Sequence, residues 1–167
     1  EHRLPAALAF VRANGLDRAV IAPQRLRVGI VVVGKAYLDI MEALALLGLG
    51  EAQLRAAGVG LFKVAMPWPL EPSAIRAFAE GAEEILIVEE KRALVETQLK
   101  EQAYHWPADR RPRIVGKTDE KGAPLLRANG EFSPLLLARV LAGRLRPFLP
   151  DARLHDRLAA WERRAQK

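Results

Sequence analysis

The sequence predicts an α/β protein, a three-layer α/β/α sandwich around a five-stranded, mostly parallel sheet. Two observations carry this prediction. Strand-like runs alternate with helical segments along most of the chain, an order that is typical of parallel sheets joined by helices. The strand-like runs are also continuously apolar instead of alternating, as strands are when helices cover both of their faces. Right-handed connections then place helices on both sides of the sheet.

Five short segments have the composition of strands. They are residues 18–22, 26–33, 61–66, 85–88 and 113–116. The second segment is the clearest, because five of its eight residues are β-branched. The third and fourth segments enclose a proline-rich turn and a helix, so they form a strand–helix–strand unit.

Helices are predicted between and after these strands. They cover residues 4–13, 36–47, 52–57, 73–80, about 93–104, a stretch opened by Ser133, and 151 to about 166. The helical spacing of the second stretch predicts a buried face that leaves out Asp39 and Glu42. That face is formed by Tyr37, Ile40, Met41, Leu44 and Leu47. In the fifth stretch Val95, Leu99 and Ala103 share a face.

The last two helices differ in how clearly they are specified. Ser133 and Pro134 are typical of an N-cap and a first helical position, and Phe132 is placed to pack on Leu137. The final helix has only a narrow apolar stripe, so we expect it to pack weakly or through another chain. The stripe consists of Leu154, Leu158, Trp161 and Ala165.

At 167 residues the chain is long enough for one domain with its own core. We expect residues 17–148 to form that domain. Residues 1–16 are predicted to be a linker helix from a preceding module, and residues 149–167 a linker helix toward a following one. The chain starts with Glu1 instead of Met and shows no signal peptide, so we expect a piece of a longer cytoplasmic protein.

Composition excludes several classes of function. The chain has no Cys, which excludes disulfides, thiolate metal sites and cysteine-ligated iron–sulfur clusters within these residues. No run approaches the roughly 18 apolar residues of a membrane span. The net charge is +6, but most of the surplus lies in residues 139–167, without the interleaved aromatic residues that single-strand binding requires. We therefore expect neither a membrane nor a nucleic-acid partner.

Most motifs for catalysis or nucleotide binding fail on inspection. The stretch from Gly29 to Lys35 has the glycine and lysine spacing of a P-loop, but β-branched residues fill it and no hydroxyl residue follows the lysine. Ser73 and Ser133 lie at predicted helix starts, where capping explains them. The three histidines, His2, His105 and His155, are scattered and lack the spacing of a zinc site.

The adjacent carboxylates Glu89 and Glu90 are the most informative pair. They follow a strand directly, at the end of a parallel sheet where ligands usually bind. Mutual repulsion could raise the pKa of one carboxylate and make it a proton-transfer group. Alternatively, either residue complements the dipole of the next helix or pairs with Lys91, Arg92 or a neighbouring module, and this second interpretation is favoured.

Four blocks, in order, resemble indolepyruvate ferredoxin oxidoreductase. They are residues 29–39, 61–72, 84–92 and 113–122, and the resemblance extends from about Asn14 to Leu145. The chain is similar to the middle module of the long bacterial form, in which the subunits are fused, and that module has a transketolase C-terminal-like fold. The resemblance implies a sheet of strand order 1-3-2-4-5, with strand 1 antiparallel to the others.

The resemblance also implies a parent enzyme that decarboxylates an aryl 2-oxoacid oxidatively and yields an acyl-CoA. Such an enzyme uses thiamine diphosphate with magnesium, iron–sulfur clusters, CoA and ferredoxin, and the full-length form is expected to be a homo-oligomer. This chain contains no Gly-Asp-Gly followed by Asn, the pattern that holds magnesium and the diphosphate, and no Cys. We therefore assign no catalytic, cofactor-binding or metal-binding residue here and expect those groups elsewhere in the parent enzyme or its partners.

Two hypotheses follow. In the first, the chain is a scaffold and interface module without its own active site, and residues 35–37, 67–69 and 89–92 dock other modules of the same protein. In the second, it is a free-standing α/β domain that binds a small anionic metabolite or an acyl carrier in the cleft at the strand ends. The candidate docking or cleft residues are Gly34, Lys35, Tyr37, Pro67, Trp68, Glu89, Glu90 and Arg92. Trp68 is expected to be an interface anchor, with burial in the core as the alternative.

Overall fold

The computed structural model describes residues 2–150 and 153–165. Five strands form one sheet in the order β1-β3-β2-β4-β5, with β1 antiparallel to β3 and the other neighbours parallel. The strands are β1 Arg18–Ile21, β2 Val28–Val33, β3 Val59–Val64, β4 Glu84–Val88 and β5 Arg113–Val115. The predicted fold class and the strand order implied by the resemblance are both confirmed.

Helices cover both faces of the sheet. They are α1 Arg3–Ala13, α2 Ala36–Leu46, α3 Glu51–Ala56, α4 Pro72–Ala79, α5 Val95–Tyr104, α6 Pro134–Leu145 and α7 Leu154–Ala165. A short 3-10 turn, Ala108–Arg110, precedes β5. For the last helix, the predicted end residues Asp151 and Gln166 lie outside the described part of the chain. No helix in residues 2–150 or 153–165 is both long and apolar enough to span a membrane.

Alternate residues of each central strand belong to two separate cores. In β2, Val28, Ile30 and Val32 pack on the side of α2 and α6, whereas Val31 packs on the side of α4 and α5. All four side chains are at most 1% exposed. Both faces of these strands are buried, so neither face needs polar residues. This explains why the strand sequences are continuously apolar.

The predicted bounds of β3 are wrong by two residues. The strand begins at Val59 and ends at Val64, so Val59 and Gly60 pair with β2 while Ala65 and Met66 lie beyond the ladder. The amides of Ala65 and Met66 instead donate to Asp17 Oδ1, at 2.7 and 3.3 Å. A side-chain acceptor from the start of β1 therefore ends the strand early.

The predicted buried face of α2 is partly wrong. Asp39 is only 8% exposed, whereas Met41 is 39% exposed. The buried apolar residues are Ala36, Ile40, Ala43, Leu44 and Leu47. Small alanines let α2 pack closely on β2 and α6, so the buried face lies around them and not around Met41.

The final helix was expected to pack weakly or through another chain, but the first half of α7 packs on the core. Leu154 is 4% exposed and belongs to the larger core, and Leu158 packs against that core. Arg157 Nη1 donates to the carbonyl oxygens of Leu47 and Gly48, each at 2.8 Å. The helix therefore closes over the end of α2, while Trp161 remains 39% exposed.

Candidate functional site

The candidate residues lie at one edge of the sheet, where β2, β3, β4 and β5 end. This carboxyl edge brings Gly34 and Lys35 after β2, Pro67 and Trp68 after β3, and Glu89 after β4. Gly34 has φ +58° at the turn into α2, a conformation that glycine adopts most easily. Because β3, β2 and β4 are direct neighbours in the sheet, these segments are adjacent in space.

Glu89 is the N-terminal acceptor for α5. Its Oε2 accepts the amide hydrogen of Val95 at 2.9 Å, and its Oε1 accepts that of Glu96 at 3.0 Å. The residue is 4% exposed. Both oxygens satisfy amides that have no partner inside the helix, and the negative charge complements the helix dipole. The capping interpretation of Glu89 therefore fits the structure, and the proton-transfer interpretation does not.

Glu90 and Lys35 connect three segments at the same edge. Glu90 Oε1 accepts the amide hydrogen of Phe132 at 3.1 Å and lies 3.7 Å from Lys35 Nζ. Lys35 Nζ also lies 2.8 Å from Asp39 Oδ2 and 3.9 Å from Glu131 Oε2. The hydrogen bond with Asp39, together with the three carboxylate charges, raises the pKa of Lys35. The lysine stays charged and holds the segment before α6 against α2.

Lys117, which sequence reasoning missed, completes this edge beside β5. Its Nζ donates to the carbonyl oxygens of Glu89 and Arg127, and its amide donates to Glu96 Oε2 at 2.8 Å. Burial lowers the pKa of Lys117, against the opposing charges of Glu89 and Glu96. Lys117 follows β5 almost directly, so the strand-end reasoning that selected Glu89 could also have selected it.

The backbone around Trp68 is fixed by side chains from other elements. We call residues 65–70 the Trp68 segment. Asp17 accepts the amides of Ala65 and Met66, Gln98 Nε2 donates to the Pro67 carbonyl at 2.8 Å, and Gln98 Oε1 accepts the Leu70 amide at 2.8 Å. The Trp68 residue is nevertheless 56% exposed. The alternative that Trp68 folds into the core is therefore wrong.

Glu71, not Ser73, caps α4. Its Oε2 accepts the Ala74 amide at 2.9 Å, and Oε1 accepts from Arg12 Nε at 2.9 Å, although the residue is fully buried. Burial alone would raise the pKa of Glu71, but the amides of Ala74 and Ser73 and the Arg12 guanidinium together lower it. The ion pair also attaches α1 to the domain. Ser73 is exposed in the first turn of the helix.

Asp17 is buried with only one of its oxygens in use. Oδ1 accepts two amides, whereas Oδ2 has no hydrogen-bond partner and is sealed from solvent. Burial raises the pKa of Asp17, and the nearby charge of Glu71 acts in the same direction. Asp17 and Glu71 are therefore two buried carboxylates at the same edge with pKa shifts of opposite sign.

The side chains at the carboxyl edge do not fit a magnesium–diphosphate site. In the part of the chain that the structure describes, no three His, Cys, Asp or Glu side chains lie together as a metal site requires. The buried carboxylates Glu71 and Glu89 already direct their oxygens at backbone amides or an arginine. A diphosphate would also meet the negative charges of Glu89 and Glu90.

A family model and sequence relatives agree on where this chain belongs. The model described as "Indolepyruvate ferredoxin oxidoreductase middle domain" matches residues 17–166. Indolepyruvate oxidoreductase subunit IorA from Thermococcus kodakarensis is 37% identical over 78 residues, which cover 47% of this chain and 11% of that protein. The subunit of the same name from Pyrococcus horikoshii is 35% identical over 82 residues, which cover 49% of this chain and 12% of that protein. The match thus spans about a tenth of each curated relative's length.

Two solved structures match most of this chain. One is a 2-oxoglutarate:ferredoxin oxidoreductase from Magnetococcus marinus with 2-oxoglutarate, coenzyme A and succinyl-CoA bound. It is 17% identical, with a TM-score of 0.45, and the match covers 89% of this chain and 23% of that one. The other is a split-gene transketolase in an inactive β4 tetramer. It is 16% identical, with a TM-score of 0.42, and the match covers 87% of this chain and 41% of that one.

Proposed function

Because the chain belongs to the family of indolepyruvate ferredoxin oxidoreductase middle domains, we propose that it is a scaffold and docking module of a 2-oxoacid:ferredoxin oxidoreductase. In this proposal the parent enzyme decarboxylates an aryl 2-oxoacid with thiamine diphosphate, transfers electrons to ferredoxin and forms an acyl-CoA. Other modules hold the cofactor and the iron–sulfur clusters. The middle module contributes packing surfaces and no catalytic group.

The Trp68 segment is the observation that carries the docking role. Four backbone groups of this short segment are hydrogen-bonded to Asp17 or Gln98, yet the indole side chain projects 56% exposed. An aromatic side chain on a fixed backbone loses little conformational entropy when a partner covers it. Tryptophan is also enriched among the residues that dominate binding energy at protein interfaces.

The charged residues around Trp68 support the same role. Glu89 is committed to capping α5, so its charge stabilises the module itself. Lys35 and Glu90 are more accessible, with side chains 49% and 25% exposed, and Arg92 is exposed. Such groups suit the polar rim that surrounds an aromatic anchor in many interfaces. We propose that neighbouring modules of the parent protein cover this edge.

Replacing Trp68 tests the docking role directly. In the isolated chain, Trp68→Ala is expected to lower the free energy of unfolding by less than about 1 kcal/mol, in the range of surface changes. In the full-length enzyme the same substitution is expected to impair assembly and 2-oxoacid-dependent dye reduction. Tyr104→Ala is the matched control, because Tyr104 is 72% exposed at the opposite edge of the sheet.

Two results would reject this role for Trp68. One is a loss of about 3–5 kcal/mol in the isolated chain, which is typical of removing a buried aromatic side chain. The other is a full-length Trp68→Ala enzyme that assembles and turns over like the Tyr104→Ala enzyme. Urea denaturation measures the loss of stability in the isolated chain. Analytical ultracentrifugation measures assembly of the full-length enzyme, and 2-oxoacid-dependent dye reduction measures its turnover.

Calorimetric titration tests whether the module lacks its own cofactor site. The isolated chain is expected to give no saturable heat with magnesium and thiamine diphosphate, because the carboxylates at its carboxyl edge already accept backbone amides or pair with lysine and arginine side chains. Micromolar binding, which corresponds to about 8 kcal/mol, would require a formed site and would overturn the scaffold proposal.

A further inference from the structure

A groove runs between β1 and α4, on the face of the sheet that α4 and α5 cover. Its volume is about 630 Å³, within the range of small-molecule sites. Ala19 of β1 is exposed there. We call this cavity the β1–α4 groove. It is distinct from the docking edge, where the sequence had placed an anionic ligand.

Phe78 forms the floor of the β1–α4 groove, and the buried Phe62 ring packs against it. Phe62 and Phe78 lie with their ring centroids 5.0 Å apart. Phe78 rests on two glycines that are direct partners in the ladder, Gly29 of β2 and Gly60 of β3. A Cβ at Gly29 would come within 2.7 Å of the Phe78 ring, and one at Gly60 within 3.0 Å. The absence of side chains at these positions therefore sets how deep the ring lies.

The walls of the groove are formed by small residues. Ala19 of β1 lies on one side, and Ala74 and Ala77 of α4 lie on the other. Ala77 is exposed and Ala74 is half-buried. Together with the aromatic floor, these alanines make an apolar trough wide enough for a ring or an acyl chain.

The accessible charge around the trough is positive. Arg25 and Arg110 line the groove, and both are exposed. In the described part of the chain, no ion pair joins Arg25 to a carboxylate. Glu80 also lines the groove, but it is already paired with Arg76 at 2.8 Å and lies 3.6 Å from Arg110.

The remaining carboxylate, Asp17, contributes little accessible charge. It is 5% exposed, directs Oδ1 at two backbone amides and has Oδ2 sealed from solvent. A cationic ligand would therefore find no exposed carboxylate that lacks an arginine partner, whereas an anion would find Arg25, which forms no ion pair with a carboxylate.

We propose that the β1–α4 groove is a binding site for a small monocarboxylate with an aromatic or acyl body. The apolar body lies on Phe78, between the alanine walls, and the carboxylate pairs with Arg25. The proposal is independent of the docking role, since it uses none of the residues at the carboxyl edge that contact the proposed neighbours.

Titration of the 167-residue chain with 3-phenylpropionate, followed by amide chemical shifts, tests the site. The shifts of Ala19, Ala77 and Phe78 are expected to saturate with a dissociation constant below about 1 mM. The uncharged 3-phenylpropionamide and the cationic 3-phenylpropylamine are expected to bind at least about tenfold more weakly, a loss that corresponds to about 1.4 kcal/mol. Binding should also weaken as salt is added.

Three variants locate the binding. Arg25→Glu reverses an exposed charge at the rim and is expected to weaken 3-phenylpropionate binding at least about tenfold. Ala77→Phe fills the trough and is expected to abolish binding. Ala52→Phe places the same residue on an exposed position of α3 and is expected to leave binding unchanged.

Several outcomes would overturn the site. They are shifts that do not saturate, shifts centred away from the groove, equal or tighter binding of the amide or the amine, and unchanged binding by Arg25→Glu. Circular dichroism first establishes that each variant is folded. If Ala77→Phe does not fold, Arg25→Glu and the ligand series decide the question, because that substitution changes only an exposed side chain.

Discussion

At the amino edge of the sheet a buried carboxylate is paired with arginine side chains, whereas at the carboxyl edge buried carboxylates accept backbone amides. The amino edge is the one where β2–β5 begin. There Glu84 is 1% exposed, with Oε1 2.7 Å from Arg144 Nε and Oε2 2.8 Å from Arg113 Nε. At the carboxyl edge, Glu89 and Asp17 each receive two amide hydrogens.

The two arrangements do different structural work. Glu84 joins segments that are distant in sequence, because Arg113 begins β5 and Arg144 lies near the end of α6. Its hydrogen bonds to Arg144, against the effect of burial, raise the pKa of that arginine. At the carboxyl edge, Glu71 and Glu89 cap the starts of α4 and α5, and Asp17 accepts amides at the exit of β3. The amino edge is thus closed by side chains, whereas the carboxyl edge leaves Trp68, Lys35 and Glu90 accessible.

The largest effect is expected at the amino edge. Arg144→Ala should lower the free energy of unfolding by about 3 kcal/mol, since removing one partner leaves a buried charge partly uncompensated. Arg146→Ala, an exposed arginine two residues away, is the control and should change it by less than about 0.5 kcal/mol. Urea denaturation measures both. Equal losses of unfolding free energy in the two variants would mean that the contacts of Glu84 with Arg113 and Arg144 do not stabilise this edge.

A smaller effect is expected where a carboxylate meets only amides. Glu89→Ala should destabilise the chain by about 2 kcal/mol, because it leaves the buried amides of Val95 and Glu96 without an acceptor. Hydrogen exchange of these two amides should speed up as well. Glu101→Ala, an exposed change on the same helix, is the control. If both variants unfold at the same urea concentration, Glu89 is not the cap of α5.

The smallest of the three effects is expected at Glu71, and it should depend on pH. Glu71→Gln should cost about 1–2 kcal/mol at pH 7, through its weaker hydrogen bonds to Arg12 and the Ala74 amide. The folded pKa of Glu71 is lowered from 4.5, so its charge contributes stability that is complete above pH 4.5. That contribution is lost as the pH falls through the folded pKa.

Unfolding measured from pH 7 to pH 2.5 checks the sign. The difference in free energy of unfolding between the native chain and Glu71→Gln should stay constant down to about pH 4.5 and then become smaller. Asp17 provides the opposite case, because its pKa is raised and its ionisation costs stability as the pH rises. If the difference in free energy of unfolding between the native chain and Glu71→Gln grows on acidification, the ionised carboxylate does not stabilise the fold.

Sequence reasoning succeeded where one local pattern determined the outcome. Continuous apolar runs located all five strands, and the position of Glu89 and Glu90 directly after β4 made a contact of one of them with the start of α5 one of the favoured interpretations. The strand order itself came from the family resemblance, since local periodicity carries no information about which strands are neighbours. The docking role of the carboxyl edge stays a prediction.

The features that sequence reasoning did not predict depend on contacts between residues that are distant in the chain. Asp17 and Ala65 are 48 positions apart, and Arg12 and Glu71 are 59 apart, so no local pattern shows that they meet. The start of β3 was missed because Gly58 and Gly60 are poor strand formers. Gly60 is nevertheless required there, because the Leu26 side chain and the Phe78 ring occupy the space where a side chain would project.

The glycine pair beneath Phe78 restricts how this region can vary during evolution. Gly29 and Gly60 face each other across β2 and β3, and one aromatic ring covers both. A larger residue at position 29 would need room from both Phe78 and Ile85, and one at position 60 from both Phe78 and Leu26. Each glycine is therefore coupled to Phe78 and to a second side chain, and substitutions made one at a time would pass through misfit intermediates.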